Sequence, residues 1–279
     1  MFKGLKMLTR RDASAAAVGP ADELRQAIAD EQMLLHYMPL ASAADGQLRG
    51  FEALVRWRHP SRGLVPPLDF IPLAEDSGLI GPLGEWVLRR ACADAAAWPQ
   101  AVRLAVNLSP RQLHHAELPA LVWEVLAATG LPPERLELEI TETALFDDLD
   151  RALDNLGQLK ARGVRIAMDD FGAGFSSLAM LQSFPFDTLK IDRSFVQALH
   201  GDARSTAIVR AVLGLGHSLA MPVVAEGVET DQQLAFLRAE GCAEVQGFGV
   251  GRPAPLEALD AMLAGADLGL FASDARKVA

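Results

Sequence analysis

The 279 residues, half of them hydrophobic, suffice for one large domain with a sizeable core, because an α/β barrel routinely occupies roughly 250 residues as a single unit. A formal net charge of -10 at pH 7 argues against binding along a duplex nucleic-acid backbone, which needs an electropositive face. No run approaches the ~20 continuous apolar residues of a membrane helix, and the widely spaced Cys92 and Cys242 form neither a disulfide framework nor a zinc motif, so two buried free thiols are expected.

Residues 1–20 are Ala-rich and Arg-punctuated, lack the sustained apolar stretch of a secretory signal, and end in Gly19-Pro20. They read as a flexible lead-in, with a cytoplasmic protein as the default. A helix is expected over 22–29. Strand patterns over 33–40 and 51–57, with Asp45-Gly46 as a turn signal between them, predict an opening hairpin whose first strand is antiparallel to the second. Short apolar runs then recur at 104–107, 136–140, 164–170, 189–192, 223–226 and 243–247, and helical patterns fall at 84–97, 118–128, 150–162, 203–219 and 231–240. This alternation predicts βαβ units and, with about eight strands, a closed TIM-like (β/α)8 barrel over 21–264. A last helix is expected over 255–263, with Pro255 at its start, and 265–279 as a loose tail.

The runs carry their polar residues with one parity. Leu136, Leu138 and Ile140 share a strand face opposite Glu137 and Glu139; Val164, Ile166 and Met168 oppose Asp169; Leu189 and Ile191 oppose Lys190 and Asp192; Val223 and Ala225 oppose Glu226. A barrel brings strand ends to one mouth, so Asn107, Glu139 and Asp169 are candidate metal ligands there. Gathered carboxylates resist ionising together unless a cation neutralises them, and an all-oxygen donor set suits Mg²⁺ or Mn²⁺. Adjacent Asp169 and Asp170 can serve one site only where the strand breaks, a break that Phe171-Gly172-Ala173-Gly174 is expected to supply. Arg56, four residues beyond Glu52 on the same strand face, is placed near the rim for a substrate phosphate. Trp57, Trp86, Trp98 and Trp123 read as core, and His114, His115 and His217 lack metal-ligand spacing.

Seven short words stand in order: Glu52-Ala53-Leu54-Val55-Arg56-Trp57, Asn107-Leu108-Ser109, Glu139-Ile140-Thr141-Glu142, Asp169-Asp170-Phe171-Gly172, Leu189-Lys190-Ile191-Asp192, Ala225-Glu226-Gly227-Val228-Glu229 and Gln246-Gly247-Phe248. On these words the chain resembles the EAL family of cyclic di-GMP phosphodiesterases, from about Leu34 to Pro253. The resemblance implies that Glu52 joins Asn107, Glu139, Asp169 and Asp170 in a two-metal site, with Asp169 bridging and Asp170 on the second metal. It implies hydrolysis of cyclic di-GMP to linear pGpG, lowering the messenger. Glu226 is then general base or a further ligand, and Lys190 orients the attacking water or counters developing charge. Gln246 and Asp192 join Arg56 as substrate contacts. Glu142 pins the loop over 171–178, which in the family couples dimerisation to metal binding, and Glu229 is a supporting partner or a helix cap. A homodimer and an upstream sensor or regulatory module are implied partners.

Two positions depart from the family pattern. Met38 stands where Gln is usual, removing an amide near the substrate, and Ala243 stands where Asp is common. Neither removes a proposed ligand. The competing readings are a receptor that binds cyclic di-GMP without turnover and signals through a partner, and a purely structural module in which the acids converge by accident.

Overall fold

The computed structural model describes residues 19–99, 102–145, 148–172 and 177–264. Most of the lead-in, the tail from 265 and the middle of the 171–178 loop lie outside them.

Helix α1 (Pro20–Ala29) starts on a proline, whose missing N–H costs nothing in a first turn, and carries Asp22 and Glu23 where the helix dipole favours acids. The expected hairpin follows as β1 (Met33–Ser42) and β2 (Leu48–His59), antiparallel, joined by a turn in which Gly46 takes φ 71°. Then come β3 (Gly63–Val65), α2 (Ile71–Ser77), α3 (Ile80–Ala96), β4 (Arg103–Asn107), α4 (Pro110–Leu113), α5 (Leu118–Thr129) and β5 (Leu136–Thr141). The second half runs α6 (Leu149–Lys160), β6 (Arg165–Phe171), α7 (Ser177–Ser183), β7 (Thr188–Ile191), α8 (Arg193–Gln197), α9 (Ala203–Ser218), β8 (Val223–Ala225), α10 (Asp231–Ala239), β9 (Glu244–Gln246), β10 (Ala254–Pro255) and α11 (Asp260–Leu263).

Hydrogen bonding closes a ring in the order β1-β9-β8-β7-β6-β5-β4-β2, and β1 pairs back to β2. It is the expected eight-strand barrel, with β1 antiparallel to both neighbours and the other ring pairs parallel. The apolar parity of the strands becomes the layer between sheet and helices: Leu104, Leu138, Ile166, Met168, Leu189 and Val223 are all buried in one large core. Cys92 and Cys242 are buried free thiols, as expected, and burial pushes both up to about 12. Trp57 and Trp98 are buried, while Trp86 and Trp123 lie partly buried on the core.

Beyond shifts of a residue or two at element ends, the larger differences from the sequence expectation are these. Helix α3 begins at Ile80 and runs through Gly81, Pro82 and Gly84. Pro82 falls in the first turn, where N–H groups have no intrahelical partner, and Gly84 leaves room for Gln112, whose amide would meet an added Cβ at 1.9 Å. The expected helix over 255–263 is instead the short strand β10, a 3-10 turn over 256–258 and the four-residue α11. Ala254 and Pro255 pair with Tyr37 and His36, so sheet pairing claims the residues that the proline suggested would start a helix. Finally, β2 outruns the barrel. Its pairing with β4 ends at Ala53, but it stays paired with β1 as far as Trp57 and with β3 from there to His59. A second, smaller core of Leu24, Met33, Trp57, Val65, Phe70 and Leu83 supports this overhang beneath α1. No helix among the described residues is long and apolar enough to cross a membrane.

Gly247 locks the β9 mouth to the β8 mouth. An added Cβ would lie 2.2 Å from both the nitrogen and the carbonyl oxygen of Val228, and Val228 donates its N–H to the Gln246 carbonyl at 3.0 Å. Gly247→Ala is therefore expected to cost about 2–4 kcal/mol, since backbone must move. Gly214→Ala, in open space on α9, should be neutral or stabilising by up to ~1 kcal/mol. Urea unfolding of the two variants checks the contrast; equal midpoints would contradict it.

Candidate active site

The mouth at the carboxyl ends of the parallel strands collects side chains from most of the ring. Lys190, on β7, is 1% exposed. Its Nζ lies 2.6 Å from Glu226 Oε1, 2.7 Å from Glu139 Oε1 and 3.5 Å from Asp169 Oδ1. Glu52 sits deeper, level with Ala105 on β4, and links β4 to β9 across the intervening β1: Oε1 accepts from Asn107 Nδ2 at 2.6 Å and Oε2 from Gln246 Nε2 at 2.6 Å. Seven of the sequence-nominated residues thus fall in one neighbourhood: Glu52, Asn107, Glu139, Asp169, Lys190, Glu226 and Gln246. Glu137 shares the strand parity of Glu139 but lies a layer lower, where it accepts from Arg165 at 3.0 Å and Thr188 at 2.7 Å.

Asp169 and Asp170 reach the site together because β6 bulges at Asp170, just before its last residue Phe171 pairs with Ile191; part of the 171–174 segment expected to break the strand lies outside the described residues. Asp170 adopts φ 54°, a left-handed conformation that Asp tolerates better than most residues, and the register with β7 shifts between Met168 and Phe171. The Asp170 N–H then donates to Asp169 Oδ1 at 2.8 Å. Carboxylate oxygens of Asp169, Asp170 and Glu226 all lie within 4.8 Å of one another, a spacing at which one cation can be shared.

The remaining nominees sit around this centre. Arg56 is half-buried on the overhang, with Nη1 donating to the Val55 carbonyl at 2.9 Å. Asp192 caps α8, accepting from the Ser194 N–H at 3.0 Å, and borders Asp170. Glu142 is buried at the start of a 3-10 turn past β5. Glu229 is exposed and accepts from Gln197 Nε2 at 3.2 Å, tying the segment after β8 to α8. Met38 lies directly across from Glu52 in the hairpin register. His36, two residues before it on the same face, carries no motif of its own; burial, then the charges of Arg56 and Arg58, lower its pKa. The 34, 36, 38 alternation on β1 was the signal that could have found it.

With this geometry in view, comparison with known proteins is decisive. A family model described as "EAL domain" matches residues 21–253. The chain belongs to the EAL domain family. An uncharacterized signaling protein of Caulobacter vibrioides is 67% identical over 252 residues, 90% of this chain but 31% of its own length. The cyclic di-GMP phosphodiesterase NbdA of Pseudomonas aeruginosa is 47% identical over 246 residues, 87% of this chain and 31% of its own. This EAL domain therefore spans about a third of the length of these relatives. Among solved structures, the PaMucR phosphodiesterase in complex with c-di-GMP superposes with a TM-score of 0.82 at 46% identity, covering 85% of this chain and 98% of that one.

The electrostatics of the EAL domain's mouth call for a cation. Burial disfavours the Lys190 ammonium, but Asp169, Glu139, Glu226 and Glu52 together hold its pKa well above the ordinary value. One ammonium does not neutralise so many acids. Burial drives the Glu139 pKa well upward against the pull of Lys190, Glu226 is pushed up to about 8 for the same reason, and burial with Asp169 and Asp192 raises Asp170 to about 6. Glu139 Oε1 faces the Lys190 ammonium, but among the described residues Glu139 Oε2 and Gln246 Oε1 are buried without a hydrogen-bond partner. Oxygen donors left short of partners in an acidic cavity fit a hard divalent cation.

The raised carboxyls set a direction for stability. Folded Glu226 keeps a proton that the unfolded chain releases near 4.5, so the metal-free protein should lose stability as pH rises from there toward about 8. Melting curves in chelator should show that decline, Glu226→Gln should flatten it, and millimolar Mn²⁺ should raise the melting temperature most at the alkaline end. Parallel curves for wild type and Glu226→Gln would contradict this assignment.

Proposed function

We propose that this chain is a metal-dependent phosphodiesterase that hydrolyses cyclic di-GMP to linear pGpG and so lowers the messenger. The observation that carries the reading is the barrel mouth itself, where an acid cluster gathered around the buried Lys190 ammonium belongs to a domain whose relatives include a named cyclic di-GMP phosphodiesterase. In this reading Glu52, Asn107, Glu139, Asp169 and Asp170 would hold two ions of Mg²⁺ or Mn²⁺. Bound there, such ions would supply Lewis-acid activation of water and neutralisation of phosphoryl charge.

The protein's own groups do the rest. Lys190 stays protonated among its acids and donates toward the attacking oxygen and the negative charge that develops in the transition state. Glu226, already raised toward neutrality, takes a water proton or completes the ligand set of the second ion. Arg56 receives a non-bridging phosphate oxygen pair, for which the guanidinium fork is suited. Gln246 and Asp192 orient the substrate, and Glu142 and Glu229 support the surrounding loops. A cytoplasmic homodimer acting downstream of a sensor or regulatory module completes the proposal. It is consistent with relatives about three times longer than this chain.

Nucleotide chromatography after incubation with cyclic di-GMP tests the reaction. Linear product should require Mg²⁺ or Mn²⁺, and Glu52→Ala and Lys190→Met should each lower the rate by roughly 10²-fold or more while the protein stays folded. Tight nucleotide binding with no product under either cation would instead establish a receptor. A monomeric mass by light scattering, with and without nucleotide, would count against the homodimer.

A further inference from the structure

Arg56 stands on a part of β2 that the barrel does not hold. The pairing of β2 with β4 ends at Ala53, so on that side Arg56 has no ring neighbour. Its strand is instead stabilised by β1, where Leu34 is its partner, by β3 from Trp57 onward, and by the second core beneath α1. Trp57, the next residue, is buried in that core against Phe70, with ring centroids 5.9 Å apart. Its indole N–H donates to Gln32 Oε1 at 3.1 Å, and the Arg58 N–H donates to the Gln32 carbonyl at 2.8 Å.

At the tip, one polar clasp ties this overhang to α1. His59 is buried, with Nε2 2.7 Å from Glu23 Oε1, while Arg62 Nη2 reaches Glu23 Oε2 at 3.4 Å. His59 Nδ1 accepts the backbone N–H groups of Ser61 and Arg62, each at 3.1 Å. With Nδ1 an acceptor, the ring proton belongs on Nε2 and is donated to Glu23. One imidazole thus fixes both the turn that leads β2 into β3 and the helix that covers them, and Arg62 stacks over Trp57 at 4.8 Å to close the unit.

We propose that Glu23 and His59 are positioning residues for Arg56. By clamping α1 onto the overhang they set where the guanidinium meets a substrate phosphate, and they leave the acid cluster untouched. The inference rests on the substrate-binding role given to Arg56 above. None of these residues touches the reacting atoms, so the signature is confined to substrate affinity.

Steady-state kinetics on the full chain with cyclic di-GMP and Mn²⁺ tests it. Glu23→Ala should raise KM by about three- to tenfold with kcat within about twofold, as expected for lost uniform binding. The Mn²⁺-induced melting shift should be unchanged. Glu23→Gln, which keeps an acceptor for His59, should restore most of the KM. In an Arg56→Ala background Glu23→Ala should add nothing further, because the two changes act on one contact. If Arg56→Ala raises KM but Glu23→Ala does not, or if Glu23→Ala lowers kcat and the Mn²⁺ shift together, the positioning role is overturned and the phosphodiesterase reading stands. If Arg56→Ala itself leaves KM unchanged, the phosphate contact and the clasp's purpose fall together.

Discussion

A buried ammonium among buried carboxylates is the interaction on which the mouth of this barrel depends. Lys190 alone in that cavity would be costly, and Glu139 and Glu226 alone would repel each other. Together they are tolerable, though not balanced: the acids outnumber the cation, and the remaining strain appears as carboxyls that cling to protons. A site built in this way is poised for a divalent ion because the fold has already gathered the oxygens. Desolvation is met when the chain folds, so the arrangement is in place before any ligand arrives.

Ring closure is what makes that gathering possible. The antiparallel β1 joins β2 to β9 and thereby turns a row of strand ends into a circle. Glu52 shows the consequence most directly, since it reaches Asn107 on one neighbouring strand and Gln246 across β1 on the far side of the seam. In an open sheet those two amides would stand at opposite edges. Beyond the ring, the same hairpin continues as an overhang with its own small core, so one strand supplies both a residue embedded in the barrel, Glu52, and one carried outside its pairing, Arg56.

Much of this is legible in the sequence. Period-two alternation placed the apolar layer correctly, because a strand face in contact with helices tolerates little else, and the hairpin was signalled by Asp45-Gly46 between two β-rich runs. The limits were equally physical. Pro255 reads as a helix start in isolation, but the open edge of β1 captures it. Gly84 reads as a helix boundary, yet it sits inside α3 because Gln112 needs the space. Asp169 and Asp170 share the cavity through a bulge within β6, where Asp170 turns left-handed before Phe171 resumes pairing, a register shift that alternation alone does not encode. His59 and Glu23 carried no local signal at all, because their meaning lies in a contact between elements far apart in the chain.

By itself, then, the sequence determined the barrel class, the parity of each strand and the roster of acids, amides and one lysine at the strand ends, because these follow from short-range periodicity and residue chemistry. Only the tertiary structure decided which of them meet. That Lys190 lies between Glu139 and Glu226, that Glu52 spans the seam, and that Arg56 hangs on a separately supported arm are outcomes of ring closure and packing. Distances between residues remote in sequence are set by those long-range constraints, and no local pattern encodes them.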